Sequence, residues 1–155
     1  MAALTKATVS QACFTTIYDR MVANVTSVTL TDSSTSTIQT YTGAFPDKDI
    51  DTKSVYPICV INTPSFKWTD FTFTKKQVEG SFTVDIYTTK AESADLFLDA
   101  IIESIETYRA TLKSTYNMEW VNLESTDSAH EQRGKMKVHM RSCTFNFKFQ
   151  FTKTY

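Results

Sequence analysis

His130 and His139 are the side chains of this sequence that change charge near neutral pH, so catalysis by proton transfer would centre on them. His130 falls in a run of polar residues, and His139 lies on the polar side of an alternating, strand-like stretch. The pair His130-Glu131 begins like the zinc-protease motif H-E-x-x-H, but Gly134 stands where the second histidine is required. The sequence therefore predicts two solvent-exposed histidines without a catalytic partner.

Carboxylates are concentrated in one segment that has the spacing of a metal-binding loop. Asp47, Asp49 and Asp51 match the first three ligands of a calcium loop. Thr52 then occupies the position that requires glycine, and Ile58 occupies that of the bidentate glutamate. We interpret this segment as an ordinary acidic loop.

Motifs for nucleophilic catalysis and phosphate binding are also missing from the sequence. Cys13, Cys59 and Cys143 lie far apart in apolar runs, which favours buried free thiols in a reducing compartment. Three scattered glycines cannot build a phosphate loop, and no serine lies in a G-x-S-x-G motif. Glu103 and Glu106 share the polar face of a helix without a histidine partner. We expect no catalytic residue, no metal ligand and no cofactor, and we expect that the chain is not an enzyme.

A basic stripe near the C-terminus is the first candidate for binding a partner. It consists of Lys135, Lys137, His139 and Arg141, which alternate along one strand, with Arg133 just before them. Such a row suits an acidic neighbour or a phosphate backbone, and it also protects an exposed strand edge from unwanted pairing. The alternative is an ordinary solvated strand face.

The aromatic segment 63–76 is the second candidate. Phe66, Trp68, Phe71 and Phe73 are interspersed with threonines and lysines, and we interpret the segment as an arm or a long hairpin. If it leaves the domain, another subunit must cover its rings. If it folds back, the rings belong to the core.

Length and composition indicate a single globular domain over residues 1–155. The hydrophobic fraction of 41% and the charged fraction of 21% are ordinary for such a domain. The net charge of −1 gives no reason to expect attraction to nucleic acid or to an anionic membrane. The sequence contains no apolar run near the ~20 residues that cross a bilayer, and its first ten residues lack the apolar centre of a signal peptide.

Two segments have the period of an amphipathic helix. In residues 4–25, Cys13, Ile17, Met21 and Val25 recur at four-residue spacing. The second segment begins at 89–92, where Thr89 and Glu92 have the form of a capping box, and continues to about Ser114. Its apolar stripe comprises Ala94, Phe97, Leu98, Ile101, Ile105, Tyr108 and Leu112.

Alternating or short apolar runs predict the strands. They lie at 27–31, 37–42, 55–62, about 78–88, 118–123 and in the C-terminal stretch, with polar loops at 43–53 and 124–134. The apolar phase of the C-terminal stretch shifts after Met140, so we expect a β-bulge or sharp bend at Arg141-Ser142. The order of elements predicts an α+β fold: a mostly antiparallel, strongly bent β-sheet with two α-helices packed on it.

Three stretches carry a family resemblance. They are Y-P-I-C-V-I-N at 56–62, G-S-F-T-V-D-I-Y-T-T at 80–89 running directly into the helix that begins K-A-E-S-A-D, and R-G-K at 133–135 before an aromatic strand. In this order they resemble the tail terminator and tail completion (head–tail joining) proteins of long-tailed bacteriophages. The resemblance covers about residues 55–151.

The resemblance implies a hexameric ring on the head-proximal end of the tail tube. Such a ring ends tube polymerisation and joins the tail to the head connector. The implied partners are further copies of the chain, the tail-tube protein and a head-connector or neck protein, without a membrane. DNA would pass through the ring without sequence-specific binding. The implied location is the virion tail or neck, and the host cytoplasm during assembly.

Other functions are compatible with parts of the sequence. Another structural subunit of the neck or tail would show a similar order of elements. A small-molecule-binding or hydrolytic α+β domain would need a concave pocket with converging polar groups, for example around His139 or Asp85. A nucleic-acid-binding module would use the basic stripe, but the net charge of −1 opposes it.

Overall fold

The computed structural model describes residues 3–45 and 53–152. The helices are α1 (Val9–Asn24) and α2 (Ala91–Tyr116). The strands are β1 (Ser27–Thr29), β2 (Thr35–Thr37), β3 (Thr40–Thr42), β4 (Ile58–Ile61), β5 (Ser65–Asp70), β6 (Lys75–Thr88), β7 (Glu119–Arg133) and β8 (Met136–Thr152). Asp47, Asp49 and Asp51, the predicted acidic loop, lie outside the described residues. The predicted α+β class is confirmed, with a mostly antiparallel and open sheet.

The main sheet has the strand order β3-β4-β6-β8-β7, and β5 also pairs with β6. Its strand pairs are antiparallel except for the parallel pair β3–β4. β8 covers one edge of β6 from Lys75 to Thr88, so β4 and β5 share the other edge, β4 at residues 84–87 and β5 at residues 76–81. Strands β1 and β2 form a separate antiparallel pair. β7 therefore lies at one edge of the main sheet, and β5 and β3 lie at the opposite edge.

One face of the main sheet is covered by both helices. Cys143, Phe145 and Phe147 alternate along β8, are at most 1% exposed and belong to the same buried cluster as the helix stripes. The stripe residues predicted to be buried include Cys13, Ile17, Met21, Phe97, Ile101 and Ile105, and each of these is 0% exposed. Burial of such side chains contributes roughly 1.5–3 kcal/mol each, which makes this face the main source of stability.

The opposite face carries a second, smaller apolar cluster at one end of the sheet. Its buried members are Tyr56, Ile58, Val60 and Val138. β8 therefore buries Val138 on one face and Cys143 onward on the other, and this change of face produces the phase shift in the sequence. The predicted bulge at Arg141-Ser142 is wrong, because the β6–β8 register runs without interruption from Lys75↔Thr152 to Thr88↔His139. The irregularities lie in β7 instead, between Glu119 and Asn122 and between Leu123 and Ser125.

The predicted polar loop at 124–134 is also wrong. β7 continues to Arg133 and pairs residue by residue with β8, and Gly134 with φ +61° begins the tight turn between them. The β7–β8 ladder consists of backbone hydrogen bonds. β7 can therefore form without an apolar face, because β8 supplies the hydrogen-bond partners of its backbone.

Two helix boundaries differ from prediction. α1 begins at Val9 instead of residue 4, while the Leu4 amide donates to the Tyr116 carbonyl (3.0 Å), so the preceding segment joins the end of α2. α2 ends at Tyr116, two residues beyond the expected end, where Asn117 is left-handed.

The predicted capping box is wrong, because Lys90 is the N-cap of α2 and no side chain caps it. The Glu92 carboxylate accepts a hydrogen bond from the Thr31 amide (2.7 Å) and thereby ties the first turn of α2 to the β1–β2 turn.

Candidate interaction surfaces

The aromatic segment forms a β-hairpin that belongs to the main sheet. Phe66 packs edge-on against Phe147, with ring centroids 6.1 Å apart, and Trp68 packs against Phe151 at 5.9 Å. Phe71 and Phe73 occupy the turn and are 54% and 86% exposed, while Trp68 keeps 45% of its surface exposed. The segment is thus a hairpin with an anchored base and an exposed aromatic tip, which we define as Trp68, Phe71 and Phe73.

The structure divides the basic stripe into two parts. Arg133, Lys135 and Lys137 gather at the β7–β8 turn, where Lys53 joins them around a groove of about 450 Å³. We call this the basic groove. Arg141 is excluded from it, because its Nε donates to the Asp95 carboxylate of α2 at 2.7 Å. His139 lies on the same helix-covered face of β8 as Arg141.

Arg133 is incompletely satisfied within the basic groove. Its Nη2 donates to the Glu131 carboxylate at 3.1 Å, and its guanidinium lies 5.2 Å from the centre of the Phe45 ring. Its buried Nε–H has no acceptor in the part of the chain that the structure describes. A buried donor without an acceptor costs roughly 1–3 kcal/mol, so an anionic oxygen from a partner would be favourable here.

The two histidines do not form a catalytic arrangement in the described residues. His130 and His139 face each other across the β7–β8 ladder, and neither imidazole is hydrogen-bonded to a carboxylate there. Burial and the neighbouring charges of Lys137 and Arg141 lower the pKa of His139, so this imidazole is neutral at pH 7.

Asp85 is a buried carboxylate on the face of the second cluster. Burial raises its pKa, and the hydrogen bond from the Asn62 amide (2.6 Å) partly opposes that rise. The grooves at Trp120, at Lys53–Lys137 and beside Lys90 are lined by neither Asp85 nor His139. None of these three grooves therefore supplies Asp85 or His139 with the concave surroundings that a small-molecule site would need.

The cysteines are buried free thiols, as predicted. Desolvation raises the pKa of Cys59 and of Cys143 to about 12 and raises that of Cys13 as well, so all three are protonated and unreactive at neutral pH. Within residues 3–45 and 53–152, no group of three or more His, Cys, Asp or Glu side chains is placed to hold a metal ion. Neither described helix combines the length and the apolar character that a membrane span requires.

The β7 edge is a surface that the sequence did not reveal. The strand has 15 residues, and those from Asn122 to Gln132 are all exposed. One side of β7 pairs with β8, and no other strand in the described chain pairs with its outer side. Three carboxylates, Glu124, Asp127 and Glu131, lie along this exposed stretch. Such an edge can accept another strand through its free backbone groups.

A groove of about 680 Å³ on the open face of the sheet is a second surface that the sequence did not reveal. Trp120 forms one of its walls, with 52% of its surface exposed and with φ +50°, a left-handed conformation that is rare for a bulky residue. The Lys148 ammonium lies 5.0 Å from the centre of the Trp120 ring. Trp120 lies in the predicted strand 118–123, which gave no sign of a groove, because the bulge that aims the ring is a tertiary feature.

No protein-family model matches this chain, and no curated protein matches it in sequence.

Proposed function

We propose that this chain is a structural ring subunit of a bacteriophage tail, of the tail terminator or head–tail joining type. In this role it ends polymerisation of the tail tube and presents a surface to the head connector. The observation that carries the proposal is the pair of unlike edges on the main sheet. One edge is the free β7 strand, and the opposite edge carries the exposed aromatic tip. Unlike edges favour head-to-tail contacts, which close into rings.

The strand directions suit such a contact. β5 is antiparallel to β6, β6 to β8, and β8 to β7, so β5 and β7 run in opposite directions. When one copy follows the next with the same orientation, β7 of one meets β5 of the other as an antiparallel pair. The two sheets then continue across the interface through backbone hydrogen bonds.

The charges of the two edges are complementary. β7 carries four carboxylates against a single arginine, whereas the β5–β6 hairpin from Ser65 to Lys76 carries three lysines against a single aspartate. Opposite charges on facing surfaces speed association and set its orientation. An aromatic tip that is exposed in one copy also loses unfavourable contact with water when a neighbour covers it.

The basic groove supplies a further contact in this proposal. Lys53, Arg133, Lys135 and Lys137 lie at the end of the sheet far from the aromatic tip, so a ring would present them away from the β5–β6 turn. We expect an acidic surface of the tail-tube or head-connector protein to bind there, because a carboxylate would satisfy the Arg133 Nε–H.

Light scattering after size-exclusion chromatography tests the ring. We expect the wild-type chain to form a closed oligomer and to stop elongation of its cognate tail-tube protein. The double variant Phe71→Ser/Phe73→Ser should be monomeric with an unchanged thermal transition. Val22→Ser, which removes another exposed apolar side chain (40% exposed) from α1, is the matched control and should retain the oligomer.

Charge reversal on β7 tests the second edge. Glu124→Lys/Asp127→Lys should weaken the oligomer, and Asp99→Lys/Glu103→Lys on the outer face of α2 is the control. A wild-type chain that stays monomeric at high concentration and neither binds nor stops the tail-tube protein would refute the proposed function.

A further inference from the structure

The open face of the sheet carries two polar rows that cross four strands. In register, Ser65, Ser81, Asn146 and Asn122 form an uncharged row across β5, β6, β8 and β7. One step along the strands, Lys67, Glu79, Lys148 and Glu119 form a row of alternating charge. With strands about 4.8 Å apart, each row is about 14 Å long. Apart from Glu119, the residues of both rows line the groove that Trp120 borders.

Trp120 is aimed over these rows by a β-bulge. Glu119 pairs with Lys148 and Asn122 with Asn146, so two residues of β7 oppose one residue of β8 between these pairs. Bulges of this kind redirect a side chain, and the left-handed backbone at Trp120 costs about 1–3 kcal/mol. The Asn122 side chain holds the bulge through a hydrogen bond from its Nδ2 to the Trp120 carbonyl (3.1 Å). The left-handed backbone at Trp120 thus lowers the stability of the fold, and it places an exposed indole ring beside a polar groove.

The chemistry of the lining selects the class of ligand. The charged row contains two lysines and two glutamates, so it has no net charge and gives no preference to a polyphosphate or an acidic peptide. The amide of Asn146 and the hydroxyls of Ser65 and Ser81 each offer both donors and acceptors. Within the described part of the chain, the side chains of Asn146 and Lys67 make no hydrogen bond. The Ser65 and Ser81 hydroxyls are hydrogen-bonded to each other (2.9 Å) and keep further capacity to accept a hydrogen bond. An apolar ligand would leave the Asn146 amide and the Lys67 ammonium without a partner.

We propose that this groove binds a neutral carbohydrate, with one sugar ring stacked on Trp120 and further hydroxyls bonded to the two polar rows. A sugar ring has an apolar C–H face, which suits the indole surface, and a rim of hydroxyls, which suits mixed donors and acceptors. The length of the rows fits a short oligosaccharide lying across the strands. This binding site goes beyond the proposed ring function and does not depend on it.

Tryptophan fluorescence of the full chain tests the proposal. The chain has two tryptophans, so Trp68→Phe leaves Trp120 as the sole reporter. We would titrate this variant with soluble tri- to hexasaccharides of glucose, N-acetylglucosamine, galactose and mannose. We expect a saturable change with at least one of them, and calorimetry on the wild-type chain should give the same affinity.

Variants assign the binding to the groove. Trp120→Ala should abolish binding, and Asn146→Ala should weaken it about tenfold, as expected for the loss of one hydrogen bond to the ligand. Trp68→Ala, which removes the other exposed indole, is the matched control and should bind as the wild type does. Circular dichroism should show that all three variants are folded.

Three outcomes would overturn the proposal. They are no saturable change with any sugar of the panel, binding that survives Trp120→Ala, and tighter binding of an oligothymidylate than of every sugar. The last outcome would identify a single-stranded nucleic-acid site instead. Light scattering reports on the ring independently, so failure of this proposal and failure of the proposed function are distinguishable.

Discussion

The two faces of the main sheet consist of the same strands but differ in what their side chains do. Phe145 and Phe147 of β8 point toward the helices and are at most 1% exposed, whereas Asn146, between them, is exposed on the open face. Covering one face with two helices provides enough apolar burial for a stable domain. The other face needs a small apolar cluster at one end and leaves its remaining surface polar. The residues that stabilise the domain and those that line the proposed binding groove are thereby separated by a single step along a strand.

Neighbouring residues of β8 give the sharpest test of this separation. Phe145 is fully buried and stacks on Phe82 with ring centroids 5.3 Å apart, so Phe145→Ala should cost about 3–5 kcal/mol of unfolding free energy. Asn146→Ala should change the unfolding free energy by less than about 0.5 kcal/mol. Urea denaturation of both variants measures the difference. Equal losses would show that the open face is also part of the core.

Gly80→Ala tests how closely the covered face is packed. A Cβ at Gly80 would overlap the Phe147 ring, which itself contacts Phe66. We expect a loss of about 1–3 kcal/mol, because the rings must move from their packed positions. Gly134→Ala is a poor control because of its positive φ, so Ser81→Ala on the open face serves instead. Unchanged stability in Gly80→Ala would mean that Phe147 moves freely.

Asp85→Asn tests the second cluster through its pH dependence. Burial raises the pKa of Asp85 above its ordinary value of 3.8, so the folded state binds more protons than the unfolded chain just above that pH. The Asp85 contribution to stability therefore falls as the pH rises through this window. Asp85→Asn should increase stability at pH 7, by about 1 kcal/mol or less, and should have no effect near pH 3. Urea midpoints at both pH values provide the measurement, and a loss of stability at pH 7 would contradict the prediction.

Trp120→Gly should give a small gain in stability. Glycine accepts the left-handed conformation without strain, which gains about 1–3 kcal/mol, but it costs roughly 0.5–1 kcal/mol in chain entropy and loses the contact with Lys148. We expect a net gain on the order of 0.5 kcal/mol in thermal or urea denaturation. A clear loss of stability would show that the indole packs as a structural residue.

The helices could be predicted from the sequence because their signal is local. Ile17 and Ile101 lie in stripes of period 3.6, and both are buried as expected. The capping box failed for a tertiary reason, since the Glu92 carboxylate is bonded to Thr31, which is 61 residues away.

The sheet was predictable in class but not in detail. The length of β7 depends on β8 as its partner, and polar residues give no periodic signal for that pairing. The phase shift in β8 was visible in the sequence. Sequence alone, however, does not distinguish an inserted residue from a strand that buries one face along its first part and the opposite face along the rest.

The candidate surfaces were predicted in part. The sequence singled out Phe71 and Phe73 because those rings interrupt a polar run, but it left open whether they project from the domain or join the core. The sequence presented the basic stripe as one unit. In the structure Arg141 is hydrogen-bonded to Asp95, whereas Lys135 and Lys137 line a groove together with Lys53, which is distant in sequence. The groove beside Trp120 draws residues from four strands and has no continuous signature.

The unbroken β6–β8 ladder has a mechanical consequence. β8 alone has 17 residues, so at about 3.3 Å per residue it forms a strut roughly 55 Å long. A strut without a hinge transmits a push at one tip as a tilt of the entire domain. Load arriving at Phe73 would therefore be felt at the Gly134 turn with little deformation between them.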